Sequence, residues 1–266
     1  MILRSLDTAA KGMQSLIEQN DSTANNVANV NTIGYKKQAL AFKNIYNSAL
    51  SQTDRTTKEV RTVGELSIGS QVQKLTYDFS QGALDRTGNV FDLAIQGDGF
   101  FKIQSSDGGF SYTRNGSFTL NNNGNLVTKD GDFVLDDKGK PIKIKTNDVV
   151  MHSLNDIIIT EDGQIQLSND QNQISMQKVG VYDFANKEDL VCIGGSKFKP
   201  AEGVINPEVK PSKFSIQQGC LEMSNANVVN EMMRTISTSR NYESLSKVVK
   251  NDGELLSQVM RVGRLT

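Results

Sequence analysis

The residues able to do chemistry in this chain of 266 residues are few and poorly grouped. Its single histidine, His152, stands between Met151 and Ser153, with no HExxH pattern and no second imidazole to share a metal or a proton. Cys192 and Cys220 lie far apart and outside any CxxC, so they outline neither a zinc site nor a disulfide framework. Gly97 and Gly99 make a GxG, but Lys102 fills the position where a dinucleotide-binding loop needs its third glycine, and the turn leads into the strand-like run Phe100-Phe101-Lys102-Ile103. Neither GxxxxGK[ST] nor GxSxG occurs. Asp85, Asp92, Asp98, Asp107, Asp130, Asp132, Asp136 and Asp137 supply carboxylates in plenty. A hydrolytic pair among them would need a separation that only the fold sets, and several adjoin glycine, where turn chemistry already accounts for them. Tryptophan is absent and no regular aromatic stripe marks a sugar-stacking platform. The reading is therefore of no catalytic, cofactor-binding or metal-binding set.

Composition narrows the partners. With 29 basic and 30 acidic residues the formal net charge is -1, which gives no field to hold nucleic acid or an anionic membrane surface. No stretch reaches the roughly 20 apolar residues of a spanning helix. Met1 to Ala10 carries Arg4 and Asp7 inside its apolar pattern and lacks the features of a cleaved secretory signal. Export, if it occurs, is expected to leave the sequence intact.

The elements that must position these residues fall into helical ends and a β middle. Leu3, Leu6, Ala10, Met13, Ile17, Asn20, Ala24 and Val27 follow alternating steps of three and four, the spacing of a coiled-coil seam whose one polar member, Asn20, suits register selection. Val229, Met232, Ile236, Leu245, Val249, Leu256 and Val259 read as one stripe of a second helix running from about Asn227 to near the end, with Gly253 a weak point of about 1 kcal/mol. Between them, Asp98-Gly99, Asp107-Gly108, Asn115-Gly116, Asn123-Gly124, Asp130-Gly131, Lys138-Gly139 and Asp162-Gly163 cut short apolar runs; these dipeptides favour the positive φ of tight hairpins. The strand candidates are Phe100–Ile103, Phe118–Leu120, Leu126–Thr128, Phe133–Leu135 and Ile157–Ile159, and they predict an antiparallel meander or barrel-like body. The polar stretch 43–72 predicts an extended connector with little core of its own. The fold class expected is mixed α and β: long terminal helices (1–42 with 215–266) forming a coiled-coil-like domain, the connector, and an all-β body over 73–214.

Two segments carry a family likeness. Ala24-Asn25-Asn26-Val27-Ala28-Asn29-Val30-Asn31-Thr32-Ile33-Gly34-Tyr35-Lys36-Lys37 resembles the N-terminal signature of flagellar rod and hook proteins, and Gln218-Gly219-Cys220-Leu221-Glu222-Met223-Ser224-Asn225-Ala226-Asn227-Val228 resembles their C-terminal signature. Phe91 to Phe101 and Tyr112 to Phe118 are similar to the opening of the family's β domain, while 137–211 share only its texture. Val27 and Tyr35 stand where Leu and Phe are more usual, and Cys220 replaces another residue. The resemblance implies a non-enzymatic subunit of a helical tube: a self-assembling homopolymer next to other rod and hook proteins, with peptidoglycan and ring proteins as further neighbours. It also implies a periplasmic position in the basal body, reached through the flagellar export apparatus. In length and position the connector resembles one found in the family's distal rod members, which implies the distal rather than the proximal rod. The rival class is a secreted β-rich carbohydrate-binding domain.

Assembly positions follow from the same residues. Leu3, Leu6, Met13, Ile17, Val229, Met232, Ile236, Leu245, Val249, Leu256 and Val259 are expected to meet the other helix or a neighbouring copy, since a narrow seam cannot stabilise a lone helix. Asn25, Asn26, Asn29 and Asn31 suit either hydrogen bonding between helices or the ending of the first helix, with Gly34 as its left-handed stop and Tyr35 as an apolar anchor. Gln218, Gly219, Leu221, Glu222, Ser224 and Asn225 are expected to form the turn before the last helix, with Ser224, Asn225 or Asn227 as its cap.

Overall fold

A computed structural model describes residues 2–53, 60–144, 157–169, 172–201, 203–204, 207–211 and 213–263, with side chains left aside at 2–5, 42–53, 60–73, 167–169, 172–176, 259 and 262–263. His152 lies outside the described residues, as do the side chains of Leu3 and Val259. The chain forms two compact units, one from residues 1–28, 38–76 and 227–266, the other from 29–37 and 77–226. This division groups both signature turns, 29–37 and 215–226, with the β body rather than with the helices.

The first unit pairs α1 (Ile2–Ala28) with α2 (Val228–Gly263), beside a two-stranded sheet of β1 (Gln38–Thr53) and β2 (Val60–Tyr77). These strands take up most of the expected connector. Composition reports whether side chains can be buried, whereas a strand pair satisfies its N–H and C=O groups whatever the side chains are, which is why the polar stretch hid it. Asn227 caps α2 by accepting the Asn230 N–H at 3.2 Å, and the helix then runs unbroken through Gly253.

The helices pair on a different phase from the apolar seam. The buried positions of α1 are Ala9, Ser15, Ser22, Thr23 and Asn26, with Gly12, Leu16 and Gln19 half-buried on the same face, while Ile17, Asn20 and Ala24 are exposed. One residue of offset turns a helix by about 100°, so the small and polar face lies inward and the apolar stripe lies to its side. On α2 the expected stripe splits: Leu245, Val249 and Leu256 share the enclosed phase with Glu231, Thr235 and Thr238, whereas Val229, Met232 and Ile236 sit one residue off it and are exposed. Small inward residues permit close approach; a Cβ on Gly12 would stand 3.3 Å from Leu245 Cδ1.

In the second unit the nine-stranded sheet follows the order β14 (Leu190–Gly194), β15 (Lys197–Pro200), β6 (Phe110–Thr113), β5 (Phe100–Gln104), β9 (Phe133–Val134), β8 (Leu126–Thr128), β7 (Phe118–Leu120). To it β13 (Val181–Phe184) adds on β5, and β16 (Glu208–Val209) on β13. Smaller antiparallel sets join β10 (Ile157–Ile159) to β11 (Gln164–Asn169) and β12 (Asn172–Lys178), β4 (Leu93–Gly97) to β17 (Phe214–Gln218), and β3 (Leu84–Arg86) to β18 (Cys220–Glu222). Among the described residues the body is thus antiparallel but not a closed barrel, because its strands are shared among separate sheets. Leu93, Ile95, Phe101, Ile103, Phe118, Val134, Ile142 and Ile216 fill the main core, and Phe100, Phe184 and Phe198 a second one.

Four hairpins use one five-residue design. Asn121, Thr128, Asp136 and Thr160 each accept the N–H four residues on through a side-chain oxygen, while the glycine three residues on, with positive φ, donates to their carbonyls. The first side chain thereby closes a turn whose fourth residue must be left-handed. The Asn115-Gly116 dipeptide departs from this: Gly116 has no positive φ, but a Cβ there would lie 1.6 Å from the Leu93 carbonyl oxygen. Two different penalties follow. Gly131→Ala, in open space at φ 90°, should cost about 1 kcal/mol of strain. Gly116→Ala must push β4 aside and should cost several-fold more, in the range of about 3 kcal/mol for overpacking. Urea denaturation of the two variants checks the order.

Candidate functional site

The two signature segments meet over one carboxylate. Glu222, at the end of β18, is fully enclosed, and its side chain accepts Lys36 Nζ at 2.7 Å, Arg114 Nη1 at 3.2 Å and the Gly82 N–H at 2.9 Å. Its backbone carbonyl accepts the Gly34 N–H at 2.8 Å. Lys36 also donates to the Ser80 carbonyl at 2.7 Å, and Arg114 to the Gly97 carbonyl at 2.9 Å while its guanidinium lies over the Phe100 ring. Lys36 and Arg114 are themselves buried, so two cations face one anion away from water. Burial holds the Lys36 ammonium below the usual lysine range in spite of the Glu222 charge that favours it, with Arg114 lowering it further and Asp78 raising it.

Glycines let the backbones close around this cluster. Gly34 is left-handed at φ 66°, and a Cβ on it would stand 2.4 Å from the Asn115 amide nitrogen; a Cβ on Gly82 would stand 2.0 Å from the Met223 carbonyl oxygen. The left-handed conformation of Gly34 is as expected, but α1 has already ended at Ala28, so Gly34 seats the signature on the β body and is not the helix stop. Asn29 accepts the Thr32 hydroxyl and shapes the intervening turn, Asn25 and Asn31 are exposed, and Tyr35 is half-buried, donating its N–H to Thr32.

The C-terminal signature is equally pinned. Gln218 donates to the Val90 and Ile157 carbonyls and accepts the Ile159 N–H, linking β17 to β10. Gly219, at φ 71°, takes the N–H groups of Thr87 and Gly88 on its carbonyl, and Leu221 enters the core. Asn225 accepts the Lys37 N–H at 2.8 Å and donates to the Asp78 and Ser80 carbonyls, which uses its side chain completely and leaves the capping of α2 to Asn227. Ser224 closes a short turn on Ala226. The Ser80 N–H holds the Asp78 carboxyl below the ordinary aspartate range.

Within the helical unit Asn26 plays the matching part. It is buried, accepts the Gln38 N–H at 2.8 Å, donates to the Gln38 carbonyl at 3.0 Å and reaches the Glu231 carboxylate at 3.3 Å, tying α1, β1 and α2 together. Of the expected apolar positions, Leu6 and Met13 are half-buried and Ile17 is exposed. Val229, Met232, Met233 and Ile236 are exposed by 65, 53, 57 and 54 % and make a contiguous apolar patch on α2.

Lys36, Arg114, Glu231 and Gly82 were not singled out from the sequence. Lys36 and Arg114 lie inside the segments that carry the family likeness, in largely polar surroundings that give no local sign of burial. Three of the carboxylates considered for hydrolysis hold the fold together: Asp92 accepts Thr87 and Asn89, Asp132 pairs with Lys197, and Asp136 closes its hairpin. Cys192 and Cys220 are free and half-buried. Among the described residues no group of three His, Cys, Asp or Glu side chains is placed to hold a metal, and no helix is long and apolar enough to cross a membrane.

Comparison with known proteins agrees with this layout. Residues 6–36 match the family described as flagella basal body rod protein, 94–167 the D1 domain of flagellar hook protein FlgE/F/G, and 217–262 the C-terminal region of flagellar basal body rod FlgEFG protein. The chain is 31% identical to flagellar basal-body rod protein FlgG of Bacillus subtilis (strain 168) across 99% of its own length and 100% of the relative's. It is 34% identical to FlgG of Agrobacterium fabrum across 97% and 99%, and 34% identical to flagellar basal-body rod protein FlgF of Caulobacter vibrioides across 92% of each.

The cluster predicts a particular pH dependence. Glu222→Gln leaves two buried cations without their anion and should cost about 3–5 kcal/mol. Because the folded Lys36 pKa lies below the unfolded value, the unfolded chain binds the extra proton, and stability from this group grows as pH rises from the lowered folded value towards 10.5. The stability of the natural chain minus that of Lys36→Met, measured by urea denaturation at a series of pH values, should therefore increase across that window. A flat difference would contradict a strained buried ammonium.

Proposed function

The chain belongs to the flagellar basal-body rod protein family, and from that premise we propose that it is a non-enzymatic structural subunit of the distal rod, polymerising into a tubular shaft that carries motor torque to the hook. The observation that carries this reading is the phase of the helix pair. The inward faces carry small or polar residues, Gly12, Thr23 and Asn26 on α1 and Glu231 and Thr238 on α2, together with Leu16 and Leu245, while other apolar side chains lie outside the pair, Ile17 on α1 and the Val229–Ile236 patch on α2. A monomer gains nothing from an exposed stripe of this size, while repeated heterologous contacts that do not close upon themselves bury it and build an open filament. In the filament the helix pairs form a coiled-coil-like inner wall, and neighbouring rod and hook subunits, peptidoglycan and the surrounding rings are its further contacts. The subunit reaches the periplasmic space through the flagellar export apparatus with its sequence intact.

The distal position is supported by the β1–β2 segment between the first helix and the β body, which offers backbone edges along the shaft that stiffen it against sliding. The proximal rod is the second reading, favoured by the likeness to FlgF.

Two outcomes are expected in cells. Val229→Asp combined with Ile236→Asp should abolish incorporation into basal bodies while leaving the melting temperature of the purified chain within about 2 °C, as for exposed positions. Electron microscopy of basal bodies from cells lacking the chain should show short rods without hooks; absence of any rod would favour the proximal position.

A further inference from the structure

We propose that the adjacent pair Met232 and Met233 is an oxidation site at which peroxide turns off the assembly of free subunits; this rests on the reading that the outer face of α2 meets the next copy. Of the methionines with described side chains, Met13 and Met223 are half-buried, whereas Met232, Met233 and Met260 are exposed, all three on α2. Only the first two of these lie in the patch bounded by Val229 and Ile236. A thioether there is open to oxidant before assembly and enclosed after it, so the chemistry selects the unassembled chain.

The step is a two-electron oxygen transfer. The peroxide O–O bond breaks, one oxygen bonds to the methionine sulfur, the other leaves as water, and sulfur is oxidised by the two electrons that peroxide gains. The product replaces a flexible apolar side chain by a polar, chiral sulfoxide. Burying that oxygen against an apolar neighbour without a hydrogen-bond donor opposes association, whereas the free helix, exposed to water, tolerates it. Methionine sulfoxide reductases reverse the change, which makes the site a switch rather than damage.

The test uses the purified full-length chain with hydrogen peroxide as the probe. Peptide mass analysis should show one oxygen added at Met232, Met233 and Met260 before Met13 or Met223. Sedimentation across a concentration series should show association weakened roughly tenfold or more by the treatment, with the far-ultraviolet circular dichroism unchanged and association restored by the reductases. Met232→Leu with Met233→Leu, a volume-conserving change, should associate as the natural chain does and ignore peroxide, while Met260→Leu alone should leave the sensitivity in place. Unchanged association after full oxidation of the pair, or loss of helical signal along with association, overturns the inference alone. An untreated chain and a leucine variant that both stay monomeric overturn the assembly reading, and this inference with it.

Discussion

Much of the β unit depends on enclosing one carboxylate in a place where water cannot reach it. Glu222 is tolerable there because two cations and a backbone N–H converge on it, and the cations are tolerable because each also finds a backbone carbonyl. Such a cluster adds little net stability compared with apolar packing, but the removal of any one member is expensive. Its value is specificity. Lys36 comes from the N-terminal signature, Arg114 from the loop after β6, Gly82 from the approach to β3 and Glu222 from the C-terminal signature, so the charges come together only when these four segments are all in place. The left-handed Gly34 and the tight Gly82 are consequences of the same demand, since a side chain at either position would strike the backbone opposite.

The helical unit solves a different problem. Two long helices that satisfied each other with their apolar stripes would be a finished object with no reason to polymerise. Here the inward faces carry Ala9, Gly12, Thr23 and Asn26 against Glu231, Thr238 and Leu245, and a buried amide hydrogen-bonded on three sides sets the register. Ile17 on α1 and Val229, Met232 and Ile236 on α2 are displaced by one position and remain outside. The separation of roles is physically economical: polar contacts fix which helix face goes where, and apolar area is left for association between copies.

Much of this could be read in the residues. The terminal helices, five strand runs and most of the glycine turns announced themselves through period, apolar runs and Asp-Gly or Asn-Gly pairs, because those signals are local. Gly116 shows the limit of that reading, as its need comes from a strand in another part of the chain. The pairing phase of the helices was not legible either, for a seam of Leu, Met and Ile looks the same whether its partner is inside the molecule or outside. Lys36 and Arg114 were missed because a charge is expected to be solvated unless a partner is known, and Glu222 is distant in sequence from both. Asn225 looked like a helix cap for the good reason that its side chain does what a cap does, on a different backbone.

Native-state hydrogen exchange at the Gly34 and Gly82 amides is the most direct test of the central role given to Glu222, because both donate to that residue, one to its carbonyl and one to its carboxylate. If the cluster holds the two signatures to the β body, these amides exchange only with the same large opening free energy as the core strands β4 and β5, although they lie in irregular segments. Exchange at the rate of an ordinary surface loop, while β4 and β5 stay protected, would show that the signatures detach without disturbing the body and would contradict the account.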